Sequence, residues 1–355
     1  MPQRFSELWA NVLAHFPPQP REAEPNYFID FLGVRTRVAF LPPVYAGFAG
    51  TVEAAPNSER AGLHDPYEWA GILLAVIDAR NRFTCIELGA GWGPFVVGAA
   101  AAAARRGIAA ENIHLMAVEG AESHVAFIRQ HFIDNNLDPA KHRILHAIAG
   151  TYDGVARFPR LADPSIEWGG EAIFAQGEQV GRTPQPTEVF DEVPCLSLEK
   201  ILAFYDGMVD VLHFDIQGAE AATIAHGMNA LARQARRIVI GTHGRDIEQH
   251  LLELLDGHGW ILEIDAPSRF AQVRPHAISV SQDGVQVWKN PALAACTPDE
   301  YRIALATGAH WRRQCEVFSL RNTALQQALD SLQNSTSWRV TAPLRALKDR
   351  PLRRR

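Results

Sequence analysis

Cysteine is scarce in this chain. Its 355 residues hold four, Cys85, Cys195, Cys296 and Cys315. They lie far apart with no C-x-x-C pair, which excludes a zinc ribbon and a disulfide framework and leaves reduced thiols in a cytoplasm as the expectation. Long apolar runs are also missing. Phe95 to Ala104 is apolar but too short to span a bilayer, and the N-terminus lacks the basic segment and apolar core of a secretory signal. The body is poor in positive charge. Residues 338–355 carry seven cations (Arg339, Arg345, Lys348, Arg350, Arg353, Arg354, Arg355) against one acid, Asp349, so the net −6 of the whole leaves residues 1–337 at −12. An acidic body lacks the basic stripe that a nucleic-acid groove needs.

What is present begins with Cys85-Ile86-Glu87-Leu88-Gly89-Ala90-Gly91-Trp92-Gly93-Pro94-Phe95. A buried strand ends in an acid, turns through glycines and enters a helix. Glycine lets the backbone turn sharply and come close to a ligand, and Pro94 suits the first helical position. The alanine-rich run to Arg106 favours helix, and Gly107 stops it. Strand, glycine turn and helix in this order open a nucleotide-type site in a doubly wound sheet. The dinucleotide fingerprint G-x-G-x-x-G is absent, because its last glycine falls on Pro94 or Val96 depending on the start. That gap, and the lack of a Ser/Tyr-x-x-x-Lys arrangement, weigh against a nicotinamide oxidoreductase. Glu87-x-Gly89-x-Gly91-x-Gly93 is instead the form typical of S-adenosylmethionine (SAM) sites. A second apolar run, His114 to Glu119, also ends in an acid, and an acid at that strand tip suits ribose hydroxyls.

From residue 83 a strand–helix alternation begins. Strands are expected near 84–88, 114–119, 143–149, 209–214, 237–241 and 260–264. Helices are expected near 94–106, 121–135, 197–205, 217–233 and 246–257. Such alternation implies an α/β, doubly wound, Rossmann-like sheet that is mostly parallel. The run Ala277 to Trp288 alternates around Asp283-Gly284 and reads as a hairpin adding an antiparallel edge. Pro17-Pro18-Gln19-Pro20 breaks an initial amphipathic helix, Phe28 to Phe40 holds a short strand or hairpin, and residues 66–79 form a helix starting at Pro66. The organisation expected is a leader or cap over 1–60, a main domain over 61–290 and a helical, basic amphipathic tail over 291–355. Residues 159–194 interrupt the alternation with an acidic, aromatic insertion, and a loop that long serves as a lid or acceptor wall, or is a solvated excursion.

The second strong motif is Val209-Asp210-Val211-Leu212-His213-Phe214-Asp215-Ile216-Gln217-Gly218-Ala219-Glu220. Ligands in such sheets sit beyond the carboxyl ends of strands, so Asp215 points at whatever the glycine turn binds. Glu220 falls in the first helical turn, where a carboxylate also suits the helix dipole.

With these motifs in order, the sequence resembles the FkbM-type family of SAM-dependent methyltransferases over residues 67–265. Glu87, Gly89, Ala90, Gly91, Trp92 and Gly93 match its glycine loop. Val118-Glu119-Gly120 matches its ribose acid. His146-Ala147-Ile148-Ala149-Gly150 looks like its third strand, and Asp215-x-Gln217-Gly218-Ala219-Glu220 is similar to its D-x-E-G-x-E signature. The resemblance implies SAM as cofactor, held by those loop residues with Glu119, Gly120, Ala147 and Asp215, and O-methylation of a saccharide or a natural-product hydroxyl. Gln217 departs from the usual glutamate, and Ile240-Gly241-Thr242-His243 keeps a histidine without the acid that often precedes it. His243 and Asp215 are the candidates for the base, Asp215 also for holding the donor's ammonium, and Gln217 and Glu220 for acceptor contact. A metal is not expected, because His213, Asp215, Glu220 and His243 show no local ligand spacing. The turn after the fourth strand lacks the Asp/Asn-Pro-Pro-aromatic segment that grips a flipped base, so a nucleic-acid substrate is not expected either.

Phe318, Leu325, Leu329 and Leu332 share one helical face, which suits a packed helix or a homodimer through 318–332. The segment Ser335-Thr336-Ser337-Trp338-Arg339-Val340-Thr341-Ala342-Pro343-Leu344-Arg345 resembles the tail of bacterial glycosyltransferases of surface-polysaccharide assembly. That resemblance implies carbohydrate work. Trp338, Leu344 and Leu347 among the cations suit peripheral contact of 338–355 with an anionic inner membrane face, or a solvated tail.

Overall fold

The computed structural model describes residues 3–53, 63, 65–174, 189–274, 277–294 and 331. The chain divides into two units, 1–296 and 297–355. The tail features at 318–332 and 338–355 lie outside the described residues, apart from the exposed Ser331.

The first unit is built on seven strands: β1 (Phe83–Leu88), β2 (Ile113–Glu119), β3 (Arg143–His146), β4 (Val211–Phe214), β5 (Arg237–Thr242), β6 (Ile261–Ala266) and β7 (Gly284–Lys289), in the order β6-β7-β5-β4-β1-β2-β3. Six neighbours in sequence follow the 3-2-1-4-5-6 order of doubly wound folds, and β7 enters antiparallel between β5 and β6. The fold is therefore α/β with a mostly parallel, Rossmann-like sheet. The central strands are buried along their length, as expected when helices cover both faces.

Among the described residues seven α-helices accompany the sheet: α1 (Gln3–Ala14), α2 (Pro66–Asp78), α3 (Pro94–Arg105), α4 (Glu122–Asp134), α5 (Leu198–Leu202), α6 (Glu220–Gln234) and α7 (Arg245–Gly257). Phe5, Trp9 and Val12 of α1 share one core with Trp69, Ile72 and Leu73 of α2, Val96 of α3 and Ile128 of α4. The strand residues in that core, Phe83, Cys85, Leu115, Ala117, Val211, Val239, Val285 and Val287, alternate along their strands and so present one sheet face. Glu87 and His213 fall in the same phase and pair in register. The leader thus packs into the main core. It also supplies a small sheet of Tyr27–Ile29, Arg35–Arg37 and Thr51–Val52.

Two expectations about strands need correction. Ala277 to Trp288 is not an edge hairpin. Ala277–Gln282 pairs with Arg269–Arg274 in a separate ribbon, while β7 goes to the sheet interior with all six residues buried. Alternation identifies faces but not neighbours, and β7 needs α2 on one side and α7 on the other to cover it. The segment 143–149 is two strands. β3 ends at His146, and Ile148–Gly150 leaves to join Gly154–Pro159 and Phe190–Ser197 in a second sheet. The ends of the 159–194 insertion belong partly to this sheet, and its described part folds back toward the tip of β1. Among the described residues no helix is long and apolar enough to cross a membrane.

Candidate functional site

The site lies at the carboxyl ends of β1 and β4, where the strand order reverses. The turn after β1 runs through Gly89, Gly91 and Gly93 with φ of +74°, +57° and +74°, a region that side chains disfavour. At Gly89 the need is also steric, because a Cβ there would stand 1.8 Å from the Asp215 carbonyl oxygen. The backbones after β1 and β4 touch at that point. Gly89 and Ala90 N–H donate to the Val118 carbonyl at 2.9 and 3.1 Å, and Asp215 N–H donates to Leu88 at 2.9 Å. One glycine-permitted turn thereby ties the tips of β1, β2 and β4 together.

The two strand-end acids have different jobs. Glu87 is 1% exposed and accepts from Val96 N–H at 2.9 Å and Phe95 N–H at 3.4 Å. It satisfies the first turn of α3, which has no side-chain cap of its own. Burial pushes its carboxyl up to about 8, with Asp215 adding repulsion against the pull of His213 and the two N–H groups. Glu119 accepts from Gly91 N–H and Ala121 N–H, both at 2.8 Å. A carboxylate offers about four lone-pair positions, so Glu119 retains capacity for ribose hydroxyls. It lines a chamber with Gly120, Ala147, Ile148 and Phe158. His124 sits 3.8 Å from Glu119 and stacks on Trp168 with centroids 4.2 Å apart and planes at 7°.

Trp168 comes from the insertion. It meets Trp92 edge-on at 4.8 Å and borders both the Glu119 chamber and a second cleft of about 630 Å³, a size suited to a small molecule. Asp215 and the glycine turn also border both spaces.

His243, at the end of β5, is held from both sides. Its Nδ1–H donates to Glu220 Oε1 at 2.9 Å and its Nε2 faces Asp215 Oδ1 at 3.3 Å. Desolvation alone would lower its pKa, but hydrogen bonds to Asp215 and Glu220, and then their charges, push it up to about 11. The imidazolium in turn holds the Asp215 carboxyl below the usual carboxylate range, against the desolvation that would raise it. With a carboxylate against each nitrogen the ring is drawn toward its protonated form, which favours Asp215 over His243 as the base of the two candidates. Asp215 keeps 41% of its side-chain surface exposed, toward the cleft.

The two candidates for acceptor contact lie in different settings. Glu220 is fully buried. Its Oε1 takes N–H groups of Ile216 and Gly218 at 3.2 and 3.1 Å as well as His243, so it shapes the turn from beneath. Gln217, with φ of +52°, borders the Glu119 chamber instead of the second cleft and donates to Asp215 at 3.2 Å. Strain of this kind at a ligand-facing turn costs of order 1 kcal/mol or more and persists only when the surroundings enforce it.

The second cleft brings in residues that sequence reasoning passed over. Asp65 and Glu68 begin α2, where Asp65 caps the helix through Tyr67 N–H at 2.8 Å. Glu68 Oε1 accepts from His213 Nε2–H at 3.0 Å. Asp283 precedes β7 and also borders this space. The start of α2 at Pro66 was legible, but its place beside β4 and β5 depends on the three-dimensional path of the chain.

No family model matches this chain. It is 29% identical over 272 residues to a protein designated "Putative methyltransferase" in Jannaschia sp. (strain CCS1), spanning 76% of this chain and 95% of that protein. Among solved structures it is similar to a precorrin-6Y C5,15-methyltransferase of Geobacter metallireducens GS-15, at 11% identity and TM-score 0.36, over 66% of this chain and 92% of that one. It is also similar to an FkbM methyltransferase of Methylobacillus flagellatus KT, at 11% identity and TM-score 0.35, over 64% of this chain and 56% of that one.

Proposed function

We propose that this protein is a SAM-dependent methyltransferase that acts on a hydroxyl of a saccharide or surface-polysaccharide precursor. The observation that carries the reading is the Gly89–Gly93 turn, closed against the Asp215 backbone with the Glu119 carboxylate beside it. The residues fit the donor. Glu119 has acceptor capacity left for ribose hydroxyls, Gly120, Ala147 and Ile148 line the mixed polar and apolar chamber next to it, and the acidic second cleft suits a sulfonium. The likeness to the Jannaschia protein, by its name, supports methyl transfer. The saccharide rests on the two sequence resemblances.

When bound, SAM supplies a methyl group already activated by a sulfonium. The protein's main task is then alignment. Asp215, half-exposed and held ionised by His243, would orient the acceptor hydroxyl and take its proton as the methyl carbon leaves the donor sulfur for the acceptor oxygen. Glu220 and His243 fix Asp215 in place. Trp168 and Trp92 keep water from the junction of the two spaces. Peripheral membrane contact through 338–355 and self-association through 318–332 remain part of the proposal for a lipid-linked acceptor.

Thermal-shift titration with SAM, its demethylated product and NAD tests the reading, since a ligand of the native state raises its melting temperature. SAM and the product should stabilise the protein and NAD should not; stabilisation by NAD alone would overturn the proposal. Glu119→Ala should weaken SAM binding by about tenfold or more, the worth of hydrogen bonds to a charged group. A calorimetric titration giving the wild-type affinity would remove Glu119 from the site.

A further inference from the structure

The cleft of about 630 Å³ beyond the glycine turn has a one-sided electrostatic lining. Asp65, Glu68, Glu87, Asp215 and Asp283 border it, and among the described residues no lysine or arginine does. The basic side chains among its described lining residues are two histidines. His243 is already engaged by Asp215 and Glu220, and His213 is engaged by Glu68. A donor with a sulfonium, an ammonium and a carboxylate brings a single net positive charge. Even with that charge and both imidazoliums counted, and with Glu87 protonated, more carboxylates remain than cations.

A second, independent feature asks for a ligand here. His213 lines the cleft and is 1% exposed. Its Nε2 is satisfied by Glu68, but its Nδ1 meets no hydrogen-bond partner among the described residues. Buried polar atoms are rarely left so. The ring is wedged against Phe95, with centroids 4.2 Å apart, so the nitrogen has little freedom to turn elsewhere. A polar ligand entering this space would complete it.

Building on the methyl-transfer reading above, we propose that the acceptor carries a protonated amino group, which the carboxylates of this cleft receive while its neighbouring hydroxyl is methylated. The ammonium is a handle and not the nucleophile, because a protonated amine has no lone pair to attack with. Asp65 at the start of α2 and Asp283 ahead of β7 are the best-placed receivers. Asp65 uses one oxygen to cap α2, and among the described residues its other oxygen has one long contact, of 3.5 Å from Gln282, with the charge of Arg269 also acting on the carboxyl. Glu87, Glu68 and Asp215 already hold protein groups. An acceptor with a phosphate or carboxylate at this position would meet uncompensated like charge, so any anionic portion of the acceptor must lie outside the cleft.

The test uses the full chain and a matched set of methyl glycosides that differ in one substituent: hydroxyl, amino, acetamido or carboxylate. Binding of each is measured by calorimetry to protein saturated with the demethylated donor, and methyl transfer from SAM is followed in parallel. The amino probe should bind about tenfold or more tighter than the hydroxyl and acetamido probes, with the advantage shrinking as salt is added. Asp65→Asn and Asp283→Asn should each erode that advantage by a larger factor than they change SAM affinity, measured separately on the same proteins. Asparagine also caps helices, so the first substitution leaves α2 intact. Equal binding of the amino and acetamido probes, no binding of the amino probe, or a preference that survives both substitutions together would overturn the inference. Failure of wild-type protein to bind SAM would instead sink the methyltransferase reading itself, so the two outcomes are distinct.

Discussion

His243→Asn should cost about 3 kcal/mol or more of stability, the range for removing one partner of a buried ion pair. The reason is Glu220. Its side chain has no surface exposure, and among the described residues Oε2 already lacks a partner while Oε1 would lose the cation it is paired with. Asparagine can still donate one hydrogen bond but brings no charge. The effect has a defined pH signature. A histidine whose folded pKa is about 11 binds a proton more tightly in the native state than in the unfolded chain, where it titrates near 6.5. Its stabilisation is complete below that ordinary value and is lost as pH rises through the folded one. The gap in stability between wild type and variant should therefore be widest in mild acid and should close toward alkaline pH. Urea melts at the two ends of this window measure it, and a gap that is absent, or that widens with pH, would show that the ring is not held as an imidazolium. Turnover should also fall, since Asp215 would lose the group that keeps it ionised and placed.

Gly89→Ala should abolish donor binding. The new methyl would stand 1.8 Å from a backbone oxygen, a contact that no rotamer can relieve, and left-handed backbone adds a cost of roughly 1–2 kcal/mol for any side chain. The turns after β1 and β4 would have to part by more than an ångström. Misplacement on that scale costs about a hundredfold in rate on general grounds, and here it also disturbs the Val118 and Leu88 hydrogen bonds. Two comparisons separate the causes. Gly107→Ala meets a similar φ of +84° but open space, so it pays the backbone strain alone. Gly91→Ala meets only the Trp168 ring, at 3.2 Å, which has some room to yield. SAM titrations across the three should rank Gly89 far more severe than Gly91, with Gly107 near wild type. Equal loss at Gly89 and Gly107 would remove the steric argument.

Much of this architecture was legible because its signals are contiguous. Strand, glycine turn and helix around Gly89 are written in eleven successive residues, and each acid at a strand tip is adjacent to the run that places it. The alternation of strands and helices gave the parallel sheet for the same reason. What escaped depends on distant segments meeting. His243 looked like a base in isolation, and only the convergence of Asp215 and Glu220 on its two nitrogens makes it a cation. Glu220 looked like an acceptor contact because it follows Asp215 closely, yet a side chain in a first helical turn points back toward the preceding residues and so lies under the turn. Asp65, Glu68 and Asp283 come from the start of α2 and the approach to β7. Their shared cleft exists only once β7 has found its place. Trp168 stood out in an unusual insertion, but its stacking on His124 was not encoded in any local spacing.

The position of β7 has a consequence for how the chain is made. β6 touches the rest of the sheet through β7 alone, and β7 is the last of the seven to leave the ribosome. Until residue 289 has emerged, β5 is a bare edge and the α7–β6 segment has nowhere to dock. Five strands can assemble early, but the unit is locked from its C-terminal side, by the insertion of a keystone. A nascent chain stalled before residue 284 should therefore expose a sticky strand border and recruit chaperones, whereas one released beyond 294 should not.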